Sequence, residues 1–258
     1  MIALDSLEAL VARIPDGVML VVPPDYSGVA VAATLALVKR GVRGLHLLAS
    51  PSSGIQADLL IGAGCVSTME AAAVTLGEFG QAPAFNAAIR AGRIRMLDST
   101  CPAIHAALNA AEKGLPFMPL RGLLGSDILA HRADWQVTQN PFADRPDPIV
   151  LLPALRPDIA LFHAAAADCE GNIWVGRRQE LSVMAHAARQ TLVTVERVLE
   201  TCFFDDEAHV ASVLPALYVS GIAIAERGAW PLGIDDVYET DGEAMAAYAA
   251  GTLFAVPA

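Results

Sequence analysis

Positive charge is scarce in this chain, and its scarcity excludes several classes of function. The 258 residues include 17 Lys and Arg against 28 Asp and Glu, which gives a net charge of -11. Binding to nucleic acid depends on basic side chains that release counterions from phosphates, and binding to anionic membranes depends on similar basic clusters. We therefore expect no nucleic-acid partner and no membrane partner.

Cysteines and long apolar runs are also few. The four cysteines lie far apart, at Cys65, Cys101, Cys169 and Cys202. This spacing predicts neither a disulfide framework nor a metal site. No apolar run approaches the ~20 residues that cross a bilayer, and Asp5 and Glu8 stand where a signal peptide would carry Lys or Arg. The sequence predicts an acidic protein of the cytoplasm.

What the chain has in abundance is apolar residues, 54% of the total. Several runs are apolar without a break, which is typical of parallel strands that are covered on both faces. The predicted strands cover residues 18–23, 44–50, 58–64, 71–76, 93–98, 116–121, 148–155, 159–168, 191–199 and 217–225.

Stretches with helical periodicity separate these strands. They cover residues 27–41, 82–92, 102–114, 177–190 and 241–251. Ser27 and Asp241 are predicted N-caps, and Gly41 is a predicted helix end. The alternation predicts an α/β protein with an open three-layer α/β/α fold and a mostly parallel sheet. We expect a single domain over residues 1–258, with residues 138–148 as a long internal loop.

Glycine-rich stretches after apolar runs are the first candidates for a site. Gly62 and Gly64 match neither a P-loop nor a dinucleotide fingerprint, so we interpret them as the turn at a strand end. In "TLGEFGQAP" the glycines flank Glu78, at a position where open sheets bind ligands. Glu78 is a weak candidate for catalysis, and a surface turn is the alternative.

Two further small-residue loops offer hydrogen-bond donors. Ser52, Ser53 and Gly54 follow one predicted strand, and Gly125 and Ser126 follow another. Such donors could hold a carboxylate or the carbonyl oxygen of a thioester. The alternative for Ser126 is that it caps a helix. The histidines show no metal-ligand spacing, and His46 and His163 are predicted to be hydrogen-bonded core residues.

Five ordered motifs resemble the A (alpha) subunits of family I coenzyme A transferases, of the glutaconate CoA-transferase type. They are "DLLIGAGCV", "GEFGQAPAF", "LPFMPLRGLLGSDI", "VLLPALRPDIALFHAAAADCEGNIWVG" and "TLVTVERVLE". The resemblance extends from about residue 16 to about residue 228. It implies the open α/β/α fold of these enzymes and a homologous B (beta) subunit as partner, usually in a heterotetramer.

The resemblance also implies a ping-pong reaction. A glutamate attacks an acyl-CoA, passes through an anhydride and becomes a glutamyl-CoA thioester, from which a second carboxylic acid takes the CoA. In heteromeric members that glutamate belongs to the B subunit, so no catalytic residue is expected in this chain, with Glu78 and Asp98 as weak candidates. CoA and acyl-CoA are then substrates, and no permanent cofactor is expected.

The resemblance assigns substrate-binding positions to three loops of this chain. The expected residues are Ser52, Ser53, Gly54, Glu78, Phe79, Gly80, Gln81, Gly125 and Ser126. Arg121, Arg132 and Arg177 are candidate contacts for CoA, with solvated surface charge as the alternative for each.

Two departures from the family pattern affect these expectations. Pro23 and Pro24 stand where many family members of the alpha type have a glycine-rich turn, and proline has no amide to donate. Related CoA-thioester hydrolases that open steroid-derived rings use an acid in the stretch that matches "LDSTCPA". Cys101 stands at that position here, with Asp98 nearby. A hydrolase on the same scaffold and a non-catalytic acyl-CoA-binding protein remain the alternatives.

Overall fold

The computed structural model describes residues 3–253, with the backbone alone for residue 208. The helices are α1 (Leu7–Ala12), α2 (Val31–Arg40), α3 (Ile55–Gly62), α4 (Pro83–Arg90), α5 (Cys101–Glu112), α6 (Ile128–His131), α7 (Gln179–Ala187), α8 (Glu207–Val210) and α9 (Gly242–Ala249).

The strands divide among a large central sheet and two small ones. Their bounds are β1 (Met19–Val22), β2 (Leu45–Ala49), β3 (Ser52–Ser53), β4 (Val66–Ala71), β5 (Ala73–Val74), β6 (Arg95–Asp98), β7 (Phe117–Leu120), β8 (Gln136–Gln139), β9 (Pro148–Pro153), β10 (Ile159–Ala167), β11 (Ile173–Trp174), β12 (Gln190–Val198), β13 (Val213–Leu214) and β14 (Gly221–Ile224).

The central sheet is built on parallel strands in the order β6-β4-β2-β1-β10-β12-β14. The short strands β11 and β13 extend it by antiparallel pairing at the end of β10. Successive residues of β1 point to opposite faces, so Leu20 joins one core cluster and Val21 joins another. The first cluster includes α1 to α4, and the second includes α5 and α7. The predicted three-layer α/β/α fold is confirmed.

A separate antiparallel sheet, in the order β7-β9-β8, packs on α5. Its two outer strands flank β9, and the loop between β8 and β9 contains most of the segment predicted as a long loop. Arg132 connects this part of the chain to the central sheet. Its buried guanidinium donates to Glu70 Oε1 at 2.8 Å and to the carbonyl of Asp98 at 3.1 Å.

Several sequence predictions about elements are wrong. Residues 58–64 are not a strand, because α3 occupies most of them, and Gly62 ends that helix rather than a strand. Each residue from Ile55 to Ile61 is buried. A helix that is covered all round shows no polar face, so its apolar run looks like a buried strand.

Shorter errors concern element boundaries. The strand predicted at 71–76 lies mainly earlier, as β4, and its later part is only β5. Ser27 is not the N-cap of α2, because Ala30 takes that place and the Ser27 hydroxyl donates to Glu180 instead. Gly41 ends α2 with a left-handed φ of 82°, and the Asp241 carboxylate caps α9 by accepting from Ala244 N, so both of those predictions are confirmed.

Candidate functional site at the carboxyl ends of the central strands

The loop at residues 23–30 follows β1 and lies where the sheet changes direction. From β1 the chain continues through α2 to β2 on one side, whereas β10 pairs with β1 on the other side. The connections therefore diverge above the carboxyl end of β1 and leave a crevice there. Open α/β sheets bind their ligands at such a switch point.

Asp25 is the acid of this loop, and it is held by the loop that follows β2. Its Oδ1 accepts hydrogen bonds from Gly54 N at 3.1 Å and Ile55 N at 3.2 Å, and its Oδ2 lies 3.1 Å from Ile55 N. Burial raises the pKa of Asp25 to about 7, against the lowering effect of these amides, and the Asp58 carboxylate adds to the rise. The side chain is therefore partly protonated at neutral pH.

Glycine is required at position 54 because Asp25 approaches its backbone so closely. A Cβ at that position would lie 2.0 Å from Asp25 Oδ2 and 2.5 Å from the carbonyl oxygen of Thr75. Gly54 has no side chain with which to cap α3. The Asp25 carboxyl group therefore acts as the N-cap from a distant part of the sequence.

Buried polar atoms without a partner lie beside this contact. Within the described residues, the Ser50 and Ser53 hydroxyls and both amide atoms of Gln56 have no hydrogen-bond partner, although each atom is buried. Such atoms are uncommon in native structures and are usually satisfied by a bound water or another molecule. These unpaired polar atoms are therefore candidates to bind a ligand or an ordered water.

Two adjoining clefts open on either side of Tyr26. One has a volume of about 310 Å³ and is lined by Gly28, His163 and Trp174, among others. The other has a volume of about 550 Å³ and is lined by Asp25, Tyr238 and Glu239, among others. The residues that line both are Tyr26, Arg178, Gly233, Ile234, Asp235 and Asp236.

The walls of the clefts carry charges of both signs. Arg178, just before α7, lies 3.0 Å from Asp235, and its guanidinium lies 5.3 Å from the centre of the Tyr26 ring. Arg177 also pairs with Asp235, at 3.1 Å, but is largely exposed. Burial and the Glu180 carboxylate raise the pKa of Tyr26. Arg178 is thus the more shielded of the two cations at the cleft.

His163 forms the floor of the smaller cleft and is fully buried. Its Nδ1 lies 2.8 Å from Thr194 Oγ1, and its Nε2 lies 2.8 Å from Glu196 Oε1. Glu196 also accepts from Tyr238 Oη at 2.7 Å. Burial opposes ionisation of Glu196, but the hydrogen bonds from His163 and Tyr238 hold its pKa below the usual range. The prediction of a hydrogen-bonded core histidine is confirmed.

The second predicted core histidine, His46, lies on β2 beside Glu70 of β4. Its Nε2 is 3.1 Å from Glu70 Oε2. Glu70 is the same carboxylate that receives the Arg132 guanidinium. His46 is therefore hydrogen-bonded as the sequence predicts, but it is half-buried and not a core residue.

Two of the three predicted substrate-binding loops lie together. Ser52 and Ser53 form β3, which pairs in parallel with β5, and β5 leads directly to the turn at residues 76–81. Gly54 contacts Asp25, as described above. Glu78 is exposed on the turn, whereas Phe79 and Gln81 line a third depression of about 440 Å³ with α4. Gly80, between them, is exposed. A substrate role for these residues remains a prediction.

The third loop lies apart from the clefts. Gly125 and Ser126 follow β7 on the small sheet and line neither cleft. The Ser126 hydroxyl accepts from Ile128 N at 3.1 Å, so it stabilises the start of α6. Its substrate role also remains a prediction, with the capping alternative visible in the structure.

The remaining candidates divide by exposure. Asp98 ends β6 and Cys101 begins α5, and both are exposed. Arg132 is buried against Glu70 and Asp134, so it is not placed to contact CoA in this chain. Arg121 is exposed and paired with Asp147.

Within residues 3–253, no cluster of three His, Cys, Asp or Glu side chains is placed to hold a metal ion, and no helix has the length and apolarity to cross a membrane.

Comparison with known proteins decides the family. The model of the coenzyme A transferase family matches residues 4–225. The chain belongs to the coenzyme A transferase family. The alpha-type (A) chain of glutaconate CoA-transferase from Acidaminococcus fermentans is 26% identical over 241 residues, which cover 84% of this chain and 72% of the relative. The corresponding chain of 3-oxoadipate CoA-transferase from Pseudomonas knackmussii is 29% identical over 219 residues, 81% of this chain and 74% of the relative.

Other relatives show how widely the scaffold is used. An uncharacterised protein of Archaeoglobus fulgidus is 30% identical over 250 residues, 95% of this chain, although the chain spans only 55% of its length. The crystal structure of an AibA/AibB decarboxylase variant matches with a TM-score of 0.84 and 28% identity, covering 96% of this chain and 92% of the other. The Acidaminococcus enzyme matches with a TM-score of 0.86 at 21% identity, covering 96% and 84%. The expected family and subunit type are confirmed.

Sequence reasoning missed the central residues of the crevice in this coenzyme A transferase family member. Asp25, Tyr26, Arg178 and Asp235 line the clefts but are not among the residues that the sequence predicts for the site. One signal was available for Asp25, since an acid follows two prolines directly after the first buried strand. The same prolines replace the glycine turn that the family pattern predicts there, so the sequence gives no reason to assign this loop to the site.

Proposed function

We propose that this chain is the A subunit of a heteromeric CoA-transferase, which moves CoA between an acyl-CoA and a small mono- or dicarboxylic acid. The family match over residues 4–225, together with relatives that are themselves A subunits, carries the proposal. The partner is a B subunit, in a heterotetramer. The crevice above β1 supplies one wall of the acyl site.

In this mechanism the partner's glutamate is the nucleophile. Its carboxylate attacks the thioester carbonyl, CoA leaves as the thiolate, and an acyl anhydride forms. The thiolate then attacks the glutamyl carbonyl of the anhydride and releases the first acid. The acceptor acid reverses both steps and leaves as its CoA ester. Hydrogen-bond donors at the carboxyl ends of β1 and β2 stabilise the developing oxyanions.

Intact-mass spectrometry of both chains tests this proposal. The chain is purified with its native partner and incubated with acetyl-CoA as donor. We expect the mass of the partner to rise by that of CoA less one water, and hydroxylamine should remove this adduct because it is a thioester. An adduct on this chain would contradict the division of labour, and Glu78 and Asp98 would become the first residues to substitute.

A hydrolase on the same scaffold is the second candidate. The IpdA chain of the cholesterol ring-cleaving hydrolase from Rhodococcus jostii is 30% identical over 174 residues, 65% of this chain and 59% of the relative. Asp98 and Cys101 lie exposed at the edge of the sheet that carries the crevice. The hydrolase predicts consumption of acyl-CoA with no adduct on either chain.

A further inference from the structure

We propose that Asp25 contacts the acid substrate directly and donates a hydrogen bond to a carboxylate oxygen of that substrate, from the wall of the 550 Å³ cleft. This inference rests on the proposed function and assigns one of its specificity-determining residues. It also explains how a chain with a net charge of -11 holds a second anion.

The placement of the Asp25 side chain is the first support. Its two oxygens receive the amides of Gly54 and Ile55, which fixes the plane of the carboxyl group. Both amide N–H groups are donors and cannot accept a hydrogen bond from the carboxyl group, so a proton on Asp25 must point away from them. Asp25 also lines the cleft, so a proton on its carboxyl group can reach a molecule bound there.

The charges around Asp25 determine which form of the side chain is present. The elements packed against the loop carry Asp58 on α3, Tyr248 on α9 and Glu180 on α7, and the cleft adds Arg178, Asp235, Asp236, Glu239 and the phenols of Tyr26 and Tyr238. Arg178 is already paired with Asp235. Burial favours the protonated form most, and the Asp58 carboxylate adds to it, in agreement with a pKa of about 7 for Asp25.

The chemistry of the ligand follows from this donor. An uncharged carboxyl group donates one strong hydrogen bond to an anionic oxygen, and such charge-assisted bonds are stronger than neutral ones. Ionised Asp25 would instead repel the same oxygen. The affinity for a carboxylate should therefore fall as the pH rises above 7, whereas the affinity for the CoA portion of the donor should not depend on Asp25.

The test measures the KM of the acceptor acid from pH 6 to pH 9 in the complex with the native partner. Acetyl-CoA is the donor, and propionate, succinate and glutarate are the acceptors. For the wild type we expect the KM of the acid to rise, at most about tenfold per pH unit above 7, while the KM of acetyl-CoA stays level.

Substitutions separate contact from a structural role. Asparagine can accept the two amides and still donate from its amide nitrogen at every pH, so Asp25→Asn should keep a low KM and lose its pH dependence. Asp25→Ala should raise the KM of the acid by about tenfold or more at pH 6. Asp144→Asn, the same change on an exposed loop residue, is the control and should behave like the wild type.

Each remaining outcome overturns a defined statement. Turnover with an Asp25→Asn variant that keeps the wild-type pH profile would overturn the role of Asp25 and leave the proposed function intact. An Asp25→Ala variant with an unchanged KM would do the same. Absence of CoA transfer to all three acids in the wild-type complex would overturn the proposed function and, with it, this inference.

Discussion

At the scale of single residues, Asp25 combines two tasks that are usually separate. It satisfies the amino end of α3, and it places an ionisable group in the crevice. A solvated surface aspartate would cap the helix more strongly because it would stay ionised. Because the pKa of Asp25 is raised to about 7, this residue titrates near neutrality and stabilises the fold less than an ionised cap would.

The first prediction concerns stability against pH. The pKa of Asp25 is about 7 in the folded protein against an ordinary value of 3.8, so the folded state holds the extra proton between these values. The contribution of Asp25 to stability therefore falls as the pH rises from about 4 to 7 and is constant above that. Compared with the wild type, Asp25→Asn should gain about 2–4 kcal/mol across this window, measured by urea denaturation at each pH. A constant difference at all pH values would contradict the raised pKa.

The second prediction concerns Gly54. Because a Cβ there would overlap Asp25 Oδ2 and the carbonyl oxygen of Thr75, Gly54→Ala should cost about 1–3 kcal/mol of unfolding free energy. Gly122→Ala is the matched control, since open space surrounds that position. In an Asp25→Ala background the cost of Gly54→Ala should shrink. If Gly54→Ala lowers the free energy of unfolding equally in both backgrounds, the overlap with Asp25 is not the cause of the destabilisation.

At the scale of elements, the buried Arg132 fastens the β7-β9-β8 sheet to the central sheet. Removal of one partner leaves Glu70 buried without its cation, so Arg132→Met should cost about 3–5 kcal/mol in urea denaturation. The double variant with Glu70→Leu should recover much of that loss. Arg121→Met breaks an exposed pair with Asp147 and is the control that should change little. A small effect of Arg132→Met would mean that the two sheets pack independently of this ion pair.

The elements also show where sequence reasoning succeeds and where it stops. Local signals made some elements predictable. Runs of apolar residues predict strands such as β1 and β10, Gly41 marks the end of α2, and Asp241 marks the start of α9. Helix α3 could not be predicted, since its burial on all sides removes the periodicity that distinguishes a helix. The role of Asp25 could not be predicted either. Its partners are backbone amides about thirty residues away, and every residue except proline has such an amide, so the sequence does not identify them.

At the scale of the whole molecule, the loop at residues 23–30 connects both helical layers across the end of the sheet. Asp25 holds α3 on one face, whereas the Ser27 hydroxyl donates to Glu180 of α7, and Arg178 covers the Tyr26 ring. Ser27→Ala should therefore loosen the contact on the opposite face. We expect amide exchange at Ile55 to accelerate about two- to tenfold. Ser67→Ala, which removes a hydrogen bond to Gly44 O at the far end of β4, should leave that amide unchanged. Unchanged exchange at Ile55 in the Ser27→Ala variant would show that the two faces are independent.

Gly28 gives this loop its direction. Its left-handed φ of 70° turns the chain so that its carbonyl accepts from His163 N at 2.7 Å, and a Cβ there would lie 2.1 Å from the His163 carbonyl oxygen. The loop is thus fixed at its base to β10 and at its tip to two helices on opposite faces of the sheet. Because the same short loop contacts α3 and α7, a displacement of either helix would move Tyr26 and Asp25 together. The position of the groups that line both clefts thus depends on the packing of helices on both faces of the sheet.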